Sequence, residues 1–290
     1  MKRVLLRLVL ASCLLVLPAA TSWSQEGDDP ALRQRIDPDQ QVADDEAVLE
    51  RGHVDIGPRY EDGEWTLMAH DDTRVEGSVW RRLDRTVLRV TDTALQEVPD
   101  DPAYSFLGVD PGTSVHVVPQ TQNPEVVWLG WNTQDPRVME TIDRGATLAL
   151  EGVTGPGHLV VYLQDGGFGA PDVLWDSRRA EDQPFFVDVN THTHANWVFS
   201  EPGGYLVEVT AAATLVDGTE VSDTEVLRFA IGDVTDPREA MTAERPARDD
   251  PGAQASDAAG DTAEDDTGGV SLPVVAGIVG AALVLGALLA

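Results

Sequence analysis

Cysteine and lysine are almost missing from this 290-residue chain: Cys13 is the one cysteine and Lys2 the one lysine. Cys13 lies in the apolar run near the start, so removal of residues 1–24 as a secretory signal leaves no thiol. Disulfides and thiolate metal sites are then excluded, and an ordinary apolar core must hold the fold. Positive charge is also scarce, with 20 Lys and Arg against 50 Asp and Glu and a net charge of −30. Such a surface repels nucleic acid and anionic headgroups and attracts cations, so nucleic-acid binding is set aside. The chain contains no Gly-x-Ser-x-Gly elbow, phosphate loop or His-Glu-x-x-His, which argues against an enzyme. An exported chain without disulfides, whose cations are nearly all Arg, suits the envelope of a bacterium with GC-rich genes.

The two ends read as targeting segments. Lys2, Arg3 and Arg7 precede an apolar stretch from Leu8 to Leu17, and Ser22-Trp23-Ser24 places small residues before a cut ahead of Gln25. Leu10-Ala11-Ser12-Cys13 also matches a lipoprotein cleavage box, an alternative that would put a lipid on Cys13. Residues 25–47 are acidic and poor in aromatics, as expected of a disordered leader. Residues 233–269, rich in Pro, Ala, Asp, Glu, Gly and Thr, read as a disordered acidic stalk. Residues 270–290 carry no charge and are long enough to cross a hydrocarbon core, so they are expected to form a transmembrane anchor with the folded part outside. Leu272-Pro273 lacks the Thr-Gly that would complete a sortase signal.

Between these ends the pattern is that of strands. His53–Tyr60 and Glu64–His70, joined at Asp62-Gly63, predict a hairpin. Further strands are expected at 85–90 and on both sides of a Pro-marked loop within 116–131. Asp101-Pro102 and Asp135-Pro136 predict short helices with an Asp cap and Pro in the first turn. In the second half, 146–153, 158–164, 172–175, 185–199, 205–210 and 224–231 read as strands separated by Gly- and Pro-marked turns. The expected fold is therefore all-β: an immunoglobulin-like sandwich over 144–232, with an irregular β-rich part over 48–143 packed on it.

The sharpest local signal is Asp188-Val-Asn-Thr-His-Thr-His-Ala-Asn-Trp197. With the period of a strand, Asp188, Asn190, His192, His194 and Asn196 share one face. Same-face neighbours lie about 7 Å apart, so His192 and His194 could converge on one Zn²⁺ or Mn²⁺. Further ligands would come from Asp188, His53, Asp55, His70, Asp71 or His116. The other reading is that these histidines simply bond to backbone on a polar face. Asp165-Gly-Gly-Phe-Gly169 could be a Ca²⁺ loop, but a lone acid favours a strand connection. Trp128, Trp131, Trp175 and Trp197 could line a glycan surface, although packing in the core is the commoner use.

Several blocks carry a resemblance: Gly52-His-Val-Asp-Ile-Gly-Pro58, Val118-Pro-Gln-Thr-Gln-Asn-Pro124, Trp128-Leu-Gly-Trp-Asn-Thr-Gln134, Asp188–Trp197 and Glu201-Pro-Gly. Together they make residues 48–232 similar to the actinobacterial surface-anchored domain called the choice-of-anchor M domain. The resemblance implies an exported, non-enzymatic binding module with a variable C-terminal anchor, serving a metal-type ABC transporter. The alternative is a structural or adhesive envelope protein that binds wall polymer or another protein without metal. His194–Val209 also resembles the closing strands of a polycystic-kidney-disease-type repeat, in which Glu201-Pro-Gly would be scaffold.

Overall fold

A computed structural model describes residues 36–165 and 170–244. The expected signal at 1–24, most of the Asp165–Gly169 loop and the expected anchor at 270–290 lie outside these residues. Among the described residues, no helix is long and apolar enough to cross a membrane.

The strands, in chain order, are β1 (Val42–Ala43), β2 (Ala47–Leu49), β3 (Gly52–Glu61), β4 (Glu64–Asp71), β5 (Val79–Arg82), β6 (Thr86–Val90), β7 (Leu95–Glu97), β8 (Ser114–Val118) and β9 (Val127–Asn132). After the short helix α1 (Pro136–Thr141) come β10 (Gly145–Thr154), β11 (Leu159–Leu163), β12 (Asp172–Asp176), β13 (Pro184–Asp188), β14 (His192–His194), β15 (Asn196–Phe199), β16 (Gly203–Thr214) and β17 (Glu220–Ile231). Helix α2 (Pro237–Thr242) follows. The protein is thus mostly β, as its alternating sequence predicts. Asp135 accepts hydrogen bonds from the amides of Arg137 and Val138, capping α1 as its Asp-Pro start predicts. The β3–β4 hairpin turns on Asp62 and Gly63, both at positive φ, the backbone twist that a two-residue hairpin requires.

Three sheets result, in the orders β1-β5-β4-β3-β9-β14, β13-β10-β16-β17-β6-β2 and β12-β11-β15-β8-β7. One core joins them: Val54, Ile56, Leu129 and Trp131 from the first meet Val207, Leu227 and Phe229 from the second and Leu159, Trp197 and Phe199 from the third. Phe199 packs its ring 4.9 Å from that of Phe229, so the second and third sheets face each other like a sandwich. Trp65 of β4 donates to the Ala211 carbonyl of β16, tying the first sheet to the second. Strands of 48–143 and of 144–232 are mixed in all three sheets: β6 runs beside β17, β8 beside β15 and β9 beside β14. The division expected at 143/144 is therefore not a boundary between sheets.

Both acidic flanks also reach into the fold. Within the expected leader, Ile36 is buried with Met68 and Trp80, and β1 pairs in parallel with β5. Asp45 and Asp44 form ion pairs with Arg81 and Arg82, so local charge is balanced by a strand that composition alone does not reveal. At the start of the expected stalk, Ala240 of α2 is buried, and Arg228 donates to the carbonyls of Ala240 and Ala243. Residues 36–47 and 233–244 are thus ordered.

Candidate metal centre

The run from 185 to 199, expected as one strand, is three. Asn190 takes a left-handed φ of 60°, ending β13 and starting a turn. β14 then pairs with β9 in the first sheet, and after Ala195 the chain passes to the third sheet, where β15 pairs with β11 and β8. The five-residue polar row is thereby broken up. Asp188 remains on β13, exposed, with its carbonyl accepting from Thr133 Oγ1, so it is not part of the centre. His192 and His194 are carried to the outer side of the first sheet instead.

Register explains what they meet there. Asp55 of β3 is level with Gly130 of β9, which is level with His194 of β14. His53 is level with Trp128, and Asn132 with His192. Level residues on neighbouring strands, and residues two apart on one strand, point to the same side. The alternate residues Val54, Ile56, Leu129 and Trp131 enter the core, so the polar set stands on the opposite face. At its middle is a residue without a side chain. A Cβ on Gly130 would lie 2.6 Å from Asp55 Oδ1 and 2.8 Å from His194 Cε1. Glycine here lets groups from two strands close over the third.

The result is a tight cluster. The Nε2 atoms of His53, His192 and His194 lie 3.0, 3.1 and 3.1 Å from one another. Asp55 Oδ1 lies 3.1 Å from His192 Nε2, 3.5 Å from His53 Nε2 and 3.7 Å from His194 Nε2. Each Nε2 has one in-plane direction for a proton or lone pair, so three mutual contacts cannot all be good hydrogen bonds. Three imidazole nitrogens and a carboxylate converging in this way form a donor set for a cation once His53 Nε2 gives up its proton, with the N and O ligands that Zn²⁺ accepts.

Surrounding groups orient Asp55, His53 and His194. Asp55 is fully buried, and its Oδ2 accepts from Asn132 Nδ2 at 3.1 Å. His53 Nδ1 lies 2.8 Å from Asp72 Oδ2, the carboxylate–imidazole pairing that commonly orients a metal-binding histidine. The His194 ring stacks on Trp128 at 3.6 Å, and Trp128 is anchored by donation to the Gln120 carbonyl. Burial alone would lower the pKa of His53, but hydrogen bonds to Asp55 and Asp72 outweigh it and raise the value to about 9. His194 is pushed down to about 3 by burial, helped by the neighbouring His53 and His192 and opposed by Asp55. Asp55 is held well below the usual carboxylate range: burial opposes this, and the hydrogen bonds from His192 and His53 prevail. The charges of Asp55 and Asp72 together match those of one divalent ion.

The remaining sequence candidates lie elsewhere. His70 is level with Asp55, but its Nε2 meets Gln40 Oε1 at 2.8 Å, its ring abuts Trp80, and Nδ1 is 3.6 Å from Asp72. It flanks the centre without joining the four donors. Asp71 forms a buried ion pair with Arg81, and His116 pairs with Asp92. Trp131, Trp175 and Trp197 pack in the core, and Trp128 is buried against His194 at the centre. Sequence reasoning missed Gly130, Asn132 and Asp72. Only Gly130, a glycine inside the apolar strand Val-Trp-Leu-Gly-Trp-Asn, carries a local signal, since such a glycine marks close approach. Comparison of the chain with protein-family models, curated proteins and solved structures finds no match.

Proposed function

We propose that the protein is an exported, membrane-tethered, non-enzymatic module that binds a divalent metal ion through His53, Asp55, His192 and His194. The observation that carries this reading is the convergence of three Nε2 atoms within 3.0–3.1 Å of one another beside a buried carboxylate. The net charge of −30 supports it by raising the local concentration of cations. The signal at 1–24, the anchor at 270–290 and the resemblance of 48–232 to the choice-of-anchor M domain extend the proposal. On that extension the module stands outside the membrane and delivers metal to an ABC uptake system. The immunoglobulin-like character of 144–232 belongs to the same proposal, and the facing second and third sheets support it.

Calorimetric titration of the metal-free chain with Zn²⁺ and Mn²⁺ tests the reading. Saturable binding near one ion per chain, weakened at least tenfold by His192→Ala, is expected, since each lost decade is about 1.4 kcal/mol. No binding of either ion, or binding that the substitution leaves unchanged, would refute it.

A further inference from the structure

Resting on that reading, we propose that the centre enforces four-coordinate tetrahedral binding. It thereby takes Zn²⁺ or Co²⁺ and rejects ions that prefer six-coordinate or square-planar shells. The four donor atoms have six separations: 3.0, 3.1 and 3.1 Å among the nitrogens, and 3.1, 3.5 and 3.7 Å from Asp55 Oδ1. A tetrahedron with bonds of about 2.0–2.1 Å has every edge near about 3.3–3.4 Å. An octahedron has three opposite pairs of positions, so any four occupied positions include at least one opposite pair. That pair is separated by twice the bond length, about 4.0 Å or more even for an ion as small as Mg²⁺. A square plane contains two such pairs. The longest separation here is 3.7 Å, so these four atoms match neither arrangement.

The surroundings keep it so. Asn132 Nδ2 donates to Asp55 Oδ2, which also lies 3.0 Å from His192 Nε2, whereas Oδ1 is within 3.7 Å of all three nitrogens. Six-coordination by the nitrogens alone would need three more sites for water. The side chains of His53, His192, His194 and Asp55 are only 11, 2, 2 and 0 % exposed, which leaves little space for them. Closed sites of this kind hold an ion without keeping an open position for substrate.

Preference for zinc over manganese alone would not test the inference, because nitrogen-rich sites of any shape show it. The order of cobalt and nickel does. In ordinary N/O sites Ni²⁺ binds more tightly than Co²⁺, whereas Ni²⁺ resists a tetrahedron. Full-length chain stripped by a chelator should bind Co²⁺ at least about tenfold more tightly than Ni²⁺, reversing that order. Its Co²⁺ complex should show the intense visible bands of a four-coordinate ion. His192→Gln, checked by circular dichroism, should abolish them; His53→Gln, at the most exposed ligand, serves if the first variant does not fold. Ni²⁺ bound more tightly than Co²⁺, or weak six-coordinate Co²⁺ bands, would overturn the tetrahedral inference and leave metal binding standing. Bands that survive in the folded variant would place the ion elsewhere. Failure of Zn²⁺, Co²⁺ and Ni²⁺ alike to bind would overturn the metal-binding reading, and the inference with it.

Discussion

Loading the centre with metal should release a proton from His53. With its pKa raised to about 9, His53 is roughly 99 % protonated at pH 7 in the metal-free chain, because two pH units correspond to a hundredfold ratio. Nδ1 holds its proton toward Asp72, so the proton that leaves is the one on Nε2, where the ion binds. Removing it at pH 7 costs about 2.7 kcal/mol, two units at about 1.36 kcal/mol each. His194, pushed to about 3, and Asp55, held ionised, have no proton to release at that pH. Zinc affinity should therefore rise about tenfold per pH unit from 7 to 9 and flatten above. The metal-free chain should show the opposite trend in stability. The raised His53 pKa stabilises the fold fully below the unfolded value near 6.5, and that contribution is lost as pH rises through about 9. Calorimetry in buffers of different ionisation enthalpy, with zinc set by a chelator, gives the proton count directly. Release of about one proton at pH 7 is expected from His53. A count near zero, with affinity flat from pH 7 to 9, would refute the assignment of His53 as a protonated ligand.

Three further outcomes follow from the packing. Gly130→Ala should destabilise the fold by about 1–3 kcal/mol in urea unfolding and abolish metal binding, because its Cβ would lie 2.5 Å from the Thr193 carbonyl and 2.6 Å from Asp55 Oδ1. Wild-type affinity in that variant would contradict the account of the site. Asp72→Asn should weaken zinc binding about 10–100-fold, since it removes the carboxylate that orients His53, while leaving the circular dichroism spectrum unchanged. An unchanged dissociation constant would show that the pair does not orient the ligand. Ile36→Ala should cost about 2–5 kcal/mol, as expected for a buried side chain packed on Met68 and Trp80. An unchanged urea midpoint would mean that the segment before β1 contributes nothing to the fold.

Alternation along single strands was readable from the sequence. It placed the β3–β4 hairpin, β8, β9 and most of β10 to β17, and it put His53 with Asp55 and His192 with His194 on common faces; the Asp135-Pro136 cap placed α1. Which strands become neighbours was not readable, because pairing of β3 with β9 and of β9 with β14 joins positions far apart in the chain. His53 could therefore be only one candidate among several. The row from Asp188 to Asn196 misled for a local reason: period-two reasoning assumes continuous extended backbone, and Asn190 at φ 60° interrupts it. Gly130 escaped because its role lies in what it lacks. Its meaning appears only once Asp55 and His194 are known to flank it. Composition misjudged 36–47 similarly, since a buried isoleucine, the pairing of β1 with β5 and two arginine partners on that strand hold an acidic segment.

X-ray absorption at the zinc edge of the zinc-loaded chain tests the central claim most directly, because it counts the atoms around the ion. A four-atom shell of three imidazole nitrogens and one carboxylate oxygen at about 2.0–2.2 Å is expected. A shell of five or six atoms dominated by oxygen, with fewer than three imidazoles, would contradict it.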